Sequence, residues 1–479
     1  MLVPPPDDEH DCGWKTYAKV QEAKLAEMAE KIAALERRFL QKKSEKRKGS
    51  KLPPPVAPTP DPSAATKARQ RTQEFQARLD TEIVPLPVPD AQRACPDCGG
   101  GKMRNVGGGK PSVVYEYVQP HFRKRVFRRE TLSCRCGHIV TAPAPDRVGE
   151  KTRYAPSFVA HLIVTKCGDS IPQYRLEKAY RNIGIPMSRS TMCSLLHRGA
   201  RELRPLQKAA TALVPAAADV HADETSMRQQ DIEGRAFFWT FVTPTLVVYR
   251  YALDRSGDTP KEILGDSPGR LVVDQHTGYN AVTRPGRRIR AGCLAHARRK
   301  IYEQREHPEA KEALDLISQI YVVEREAKQA GILGTPEHLA LRRERSRPLF
   351  ARLLRWGRRH RASFEPRSAM GRAIRYLLNH RRALGCFLRF ATIPPDNNIA
   401  EASLRRIALG RSNYLFVGHE GAGQNLAVLY TLVASCEKNG VNAIAYLTDV
   451  LTRIQTHPAS RIEDLLPHRW KLPDGAIRP

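Results

Sequence analysis

Five strand-like runs between residues 215 and 293, with one short helical run among them, constrain this chain more than any other feature. "AADVHAD" ends at Asp223, and "AFFWTFV" and "LVVYRYAL" follow, separated by "TPT" so that they close as a hairpin. "TPKEIL" reads as a short helix, after which "RLVVD" ends at Asp274 and "RIRAGC" ends near Cys293. Connections in a sheet are short and do not cross, so after the hairpin-connected trio the fourth strand returns beside the first. Asp223 and Asp274 then sit side by side.

That order is the order of an RNase H-like mixed sheet. Two aspartates at adjoining strand ends repel one another unless hard cations lie between them, which is the physical case for Mg²⁺ or Mn²⁺. A third carboxylate completes a site for two ions about 4 Å apart, suited to in-line phosphoryl displacement. Glu401 is the candidate. It lies in "DNNIAEASLRRIALGRSNYLF", residues 396–416, where Ala400, Leu404, Ile407 and Ala408 mark one helical face and Asp396 or Asn398 suits the N-cap. An ordinary i,i+4 pair between Glu401 and Arg405 on a solvated helix accounts for the same residue.

Around this core the sequence divides into further segments. Leu25, Met28, Ile32, Leu35 and Phe39 keep three-four spacing within an N-terminal part (1–46), as in a short coiled coil; a surface helix fits them equally. A basic, proline-rich linker (47–92) contains "LPPPVAPTPDPS", which cannot propagate helix or sheet. Residues 93–145 carry "CPDCGG" and "CRCGH". Cys95, Cys98, Cys134 and Cys136 suit one structural zinc on a ribbon, with His138 as a possible substitute ligand and unligated buried thiols as the alternative. Within 150–212, a helix from Tyr174 to Arg181, the turn "NIGIP" and a helix from about Ser190 resemble a helix-turn-helix, although a plain helical hairpin fits too. The catalytic core spans 213–430 with a helical insertion at about 300–390, and 431–479 is a C-terminal extension.

Lys plus Arg number 79 against 50 for Asp plus Glu, a formal net charge of +29, so a polyanion is the expected partner, nucleic acid or an anionic surface. No apolar run reaches the length of a membrane span, and "MLVPPPDDEHDCGW" lacks a signal-peptide core, so no membrane partner and a cytoplasmic location are expected. Ten cysteines in 479 residues suggest metal ligands in a reducing compartment rather than a disulfide scaffold. His296, Arg298, Arg299 and Lys300 after Cys293 suit phosphate contacts near the metals, with a helix-start histidine as the alternative for His296. Arg405, Arg406 and Arg411 suit the DNA backbone. Asn397 and Asn398 suit the turn that aims Glu401.

"HADET", "VVDQHTGYNA", "CLAHARRKIYE", "DNNIAEASLRR", "GRSNYLFVGHEGAG" and "RIEDLLPHRWK" together resemble the transposases of the insertion sequence sixty-six family, from about residue 93 to the C-terminus. The resemblance implies that Asp223, Asp274 and Glu401 are the family's Asp-Asp-Glu triad and that residues 300–390 are its insertion. The resemblance also covers the zinc ribbon and the upstream coil, so the expected fold is multidomain α+β, with the helix-turn-helix-like region read above lying between the ribbon and the RNase H-like core. The implied activity is metal-dependent cleavage at element ends and strand transfer into target DNA, by a homo-oligomer, with small accessory proteins of the same element as possible partners. A non-catalytic DNA-binding protein and an RNase H-like nuclease are the competing readings.

Overall fold

The computed structural model describes Met28 and residues 131–133, 139–141, 148, 154–185 and 187–471. The coiled-coil seam apart from Met28, the linker, and Cys95, Cys98, Cys134, Cys136 and His138 lie outside the described residues. Strands β1 (Thr131–Ser133) and β2 (Ile139–Thr141) pair antiparallel, with Ser133 opposite Ile139. In sequence they bracket the Cys134 to His138 run.

The main sheet comprises β3 (Asp219–Gln229), β4 (Ala236–Val242), β5 (Val247–Ala252), β6 (Arg270–Val273) and β7 (Ile289–Gly292), in the order β5-β4-β3-β6-β7. A short strand β8 (Phe416–Val417) pairs with the far end of β3. β4 is antiparallel to β3 and β5, whereas β3, β6 and β7 run parallel. This mixed α/β core is consistent with an RNase H-like fold, and the first and fourth strands of the set are neighbours, as their order requires. Aromatic and β-branched residues make the central strands: Phe238, Trp239, Phe241, Val248 and Tyr249 have no solvent exposure.

One boundary differs from the sequence expectation. β3 runs past Asp223 to Gln229, because residues 236–242 form the second arm of a hairpin and hydrogen-bond with 221–227. Asp223 therefore sits mid-strand, opposite Thr240.

Hydrophobic layers cover both faces. Helices α1 (Pro156–Cys167), α2 (Gln173–Asn182) and α3 (Arg189–Leu213) share one continuous core with the sheet. Helix α4 (Asp258–Leu264) is the crossover from β5 to β6. The insertion contributes α5 (Leu294–Tyr302), α6 (Pro308–Gln329), α7 (Pro336–Leu341), α8 (Arg347–His360), α9 (Ala369–Asn379) and α10 (Arg381–Leu384). It forms a second core, joined by Val272 and Ala291 from β6 and β7, while Leu271 and Val273 point into the first. The period-two alternation of a strand thus assigns neighbouring residues to opposite layers.

The chain returns to the sheet as α11 (Asn398–Tyr414) and continues as α12 (Glu420–Lys438) and α13 (Ala443–Arg453). Helix α12 covers the edge strand β5. The hydroxyls of Ser435 and Thr431 accept from the free backbone amides of Val247 and Tyr249 at 3.0 and 2.9 Å, so the edge is closed to further strand pairing. Close approach requires Gly423, where a Cβ would fall 2.3 Å from the Tyr251 ring. Among the described residues no helix is long and apolar enough to cross a membrane.

Candidate active site

The β3–β6 pairing sets His221 beside Val272 in parallel register, and two residues further on that register brings Asp223 beside Asp274, where β6 ends. Asp223 Oδ1 accepts from the Glu224 amide at 2.9 Å, and Asp274 Oδ1 accepts from the His276 amide at 2.8 Å. Burial pushes the Asp223 carboxyl up to about 7, and repulsion from Glu224, Asp274 and Glu401 adds to it. The charges of Asp274 and Glu401 therefore both reach Asp223. Glu224 itself points to the other side of the strand, where Arg255 Nε donates to it at 2.7 Å and the Tyr279 hydroxyl also donates.

Glu401 lies in the first turn of α11, and that helix is held to strands β3 and β5 at three points. At its start, Asn397 is buried; its Nδ2 donates to Ala222 O at 2.8 Å and its backbone amide to Cys293 Sγ at 3.3 Å. His221 Nδ1 lies 3.2 Å from Asn397 Oδ1, and burial holds this imidazole down at about 4, so it is neutral at pH 7. In the middle, the Tyr249 hydroxyl donates to Ser403 O at 2.6 Å, and near the end Arg411 Nη1 donates to Ser226 O at 2.6 Å. Ala222 adjoins Asp223 in sequence. The Asn397 side chain thus couples the placement of Glu401 to that of Asp223.

Around Glu401 the charge is incompletely partnered. Its Oε1 stands 3.7 Å from His296 Nδ1, and both atoms are buried without a hydrogen-bond partner. Among the described residues Glu401 pairs with His296 and no ion pair joins it to Arg405, so the i,i+4 alternative does not describe this helix. An orphaned carboxylate oxygen, and a nearby carboxyl raised first by burial and then by repulsion, are what acidic ligands show before a cation neutralises them. Asp223, Asp274 and Glu401 offer the carboxylate oxygens that hard divalent ions take, while among the described residues the donor atoms found within 4.8 Å of one another are those of Cys293, His296 and Glu401.

Comparison with known proteins gives the family. Residues 151–425 match the model of the Transposase IS66 family, 431–468 match the IS66 C-terminal element, and 92–137 match the zinc-finger binding domain of transposase IS66. The chain belongs to the IS66 transposase family. Two relatives from Sinorhizobium fredii (strain NBRC 101917 / NGR234) cover most of its length. Uncharacterized protein y4hP is 29% identical over 464 residues, 88% of this chain and 83% of the relative. Uncharacterized protein y4qI is 31% identical over 439 residues, 86% and 79% respectively. IS66 membership places the chain among DDE transposases, which are phosphoryl-transfer enzymes that act with divalent metal, and its finger domain suggests zinc.

The basic residues expected to touch DNA in this IS66 chain separate into two groups. Arg405 and Arg299 are exposed, Lys300 is exposed above the Tyr376 ring at 5.1 Å, and Arg298 lies over Tyr302 at 5.4 Å. Arg406 differs from the expectation: it is 16% exposed and pairs with both oxygens of Glu437, at 2.6 and 3.2 Å, so its guanidinium joins α11 to α12. Arg411 is likewise occupied by Ser226 O and Thr225 Oγ1 on β3. Both guanidiniums have partners within the fold, Arg406 through Nη1 and Nη2 and Arg411 through Nη1. His296 faces Glu401 rather than only starting α5.

Several supporting residues were not apparent from sequence. Arg290 Nη2 donates to the carbonyls of Asp274 and His276 and so holds the chain at the end of β6. Arg342, 2% exposed at its side chain, pairs with Glu324 at 2.6 and 2.7 Å and donates to four carbonyls between Phe387 and Ile393. It fixes the path by which the insertion returns to Glu401. Cys293 is the case with a readable signal, since "CLAH" has the Cys-x-x-His spacing of a ligand pair.

Proposed function

We propose that this protein is an active DNA transposase that cuts at the ends of its own insertion sequence and joins the exposed 3′ hydroxyl to target DNA by direct transesterification. The observation that carries the reading is geometric: β6, which ends at Asp274, runs parallel beside the β3 strand of Asp223, and the helix of Glu401, over a hundred residues further on, is hydrogen-bonded to that same β3 strand. No local pairing brings such residues together, and repulsion among their carboxylates costs stability unless the site uses it.

Asp223, Asp274 and Glu401 would hold two Mg²⁺ or Mn²⁺ ions. Once bound, the ions supply Lewis-acid stabilisation of the attacking and leaving oxygens in an in-line displacement. The chain's own residues prepare the site. Asn397 and Arg411 hold α11, and Glu401 with it, on β3, and the Tyr279 and Arg255 contacts keep Glu224 engaged on its own side of the strand. Arg405, Arg298, Arg299 and Lys300 bind phosphates and orient the strand without reading its sequence. A ribbon zinc on Cys95, Cys98, Cys134 and Cys136 or His138, the exposed start of α3 at Arg189 and Ser190, and self-association through the N-terminal coil complete the assembly on two DNA ends.

Cleavage and joining on DNA that carries the flanking ends of its own gene tests this directly. Asp223→Asn, Asp274→Asn and Glu401→Gln should each lose several orders of magnitude of Mg²⁺-dependent activity and still bind DNA. A Glu401→Gln protein that cuts as well as the parent refutes the assignment. Cleavage without any strand joining selects an RNase H-like nuclease instead.

A further inference from the structure

Glu401 stands beside a second set of donors. Cys293 Sγ, a His296 ring nitrogen and a Glu401 carboxylate oxygen all lie within 4.8 Å of one another. Ligand atoms on a tetrahedral zinc stand roughly 3.3–3.7 Å apart, given metal–ligand bonds of about 2.0–2.3 Å. The His296 Nδ1 to Glu401 Oε1 separation is 3.7 Å already, so small side-chain rotations bring the set to bonding distance.

We propose that Cys293, His296 and Glu401 form a binding site for a zinc-class transition ion, distinct from the hard-ion site, whose occupancy withdraws Glu401 from Asp223 and Asp274.

Three features support it. One sulfur, one imidazole nitrogen and one carboxylate oxygen make a borderline-soft set that selects zinc, cobalt or nickel over magnesium. His296 Nδ1 and Glu401 Oε1 are both buried and unpartnered, so an ion would satisfy two atoms that the fold leaves unsatisfied. The Asn397 amide already donates to Cys293 Sγ at 3.3 Å, which is the outer-shell bond that steadies a metal-bound thiolate. The glutamate and histidine side chains are 30% and 26% exposed, so an ion can enter from solvent, and three protein ligands leave a fourth position for water. Binding is a ligand exchange: the thiol releases its proton to solvent as the metal–sulfur bond forms.

Glu401 then serves one ion set or the other. The consequence is competition, with micromolar zinc opposing Mg²⁺-supported chemistry. That consequence rests on the proposed transposase function, whereas the binding itself does not.

The test is a Co²⁺ titration of the purified full-length chain, kept free of chelator so that metal already bound stays in place. We expect one additional equivalent of cobalt with thiolate-to-metal charge-transfer absorption and the visible bands of a four-coordinate ion. Cys293→Ser should abolish the charge-transfer band. His296→Gln, at a partly exposed position that tolerates an amide, should weaken cobalt affinity at least tenfold while leaving the circular dichroism unchanged. Superimposable titrations for parent and both variants overturn the proposal. Zinc should inhibit Mg²⁺-supported cleavage by the parent at about tenfold lower concentration than it inhibits His296→Gln; equal inhibition overturns the competition. A protein that shows the cobalt spectrum but no cleavage under any condition retains the site and loses the transposase reading.

Discussion

Replacing Asp223 by Asn should stabilise the metal-free protein above neutral pH and remove most of its stabilisation by Mg²⁺. The Asp223 carboxyl is raised from 3.8 to about 7 by burial and by repulsion from Glu224, Asp274 and Glu401. Between those two values the folded chain keeps a proton that the unfolded chain has released. Stability from this group is therefore highest below about pH 4, declines as pH rises, and the penalty is complete above about pH 7. A rise of that size corresponds to about 4 kcal/mol. The carboxyl is only partly buried by exposed area, so we expect on the order of 2 kcal/mol, or a Tm shift of roughly 2–5 °C. The assay is thermal unfolding with EDTA at pH 5 and pH 8 for parent and Asp223→Asn. The variant's advantage should be roughly two-fifths of its full value at pH 5 and near its full value at pH 8, and subtracting parent from variant cancels the other titrating groups. With Mg²⁺ at a hundred times its dissociation constant the parent should regain about 2.7 kcal/mol and the variant much less. Equal Tm values for both proteins at pH 8 without metal, or equal gains from Mg²⁺, refute the idea that Asp223 carries unneutralised charge in a cation site.

Asn397→Ala removes the bonds to Ala222 and His221 from a buried site; denaturant unfolding should show a loss of about 2–3 kcal/mol, and Mg²⁺-dependent cleavage should fall at least a hundredfold because Glu401 loses its anchor. Arg405→Ala should reduce the slope of log affinity against log salt for DNA by about 1. Arg406→Ala should leave that slope unchanged and cost about 1–3 kcal/mol of stability, since it strands Glu437 and opens the α11–α12 contact; the reverse pattern in a filter-binding series would return Arg406 to the DNA surface. One tightly held zinc per chain should survive dialysis, as measured by atomic emission, and be lost in Cys95→Ser; unchanged zinc in that variant excludes the ribbon ligand set.

How much of this was legible depends on the range over which a sequence signal acts. Strand runs, the crossover helix and the helices flanking "NIGIP" were readable because hydrophobic periodicity and turn chemistry are local, and the strand order then left little choice about which strand lies beside β3. The adjacency of Asp223 and Asp274 follows from that order. The end of β3 was misjudged because pairing with β4, rather than the residues after Asp223, decides how far the strand runs. What the sequence alone left open at Glu401 is whether it pairs with Arg405 or turns inward, since both readings share one helical pattern. Tertiary structure decided it through groups remote in the chain: Asn397 bonded to Ala222, the insertion's return path fixed by Arg342, and His296 with Cys293 beside the carboxylate. The same holds for the three arginines of α11. They look alike in sequence, but packing against Glu437 and Ser226 occupies Arg406 and Arg411 and leaves Arg405 in solvent, because a guanidinium's role is set by the acceptors that other elements bring to it.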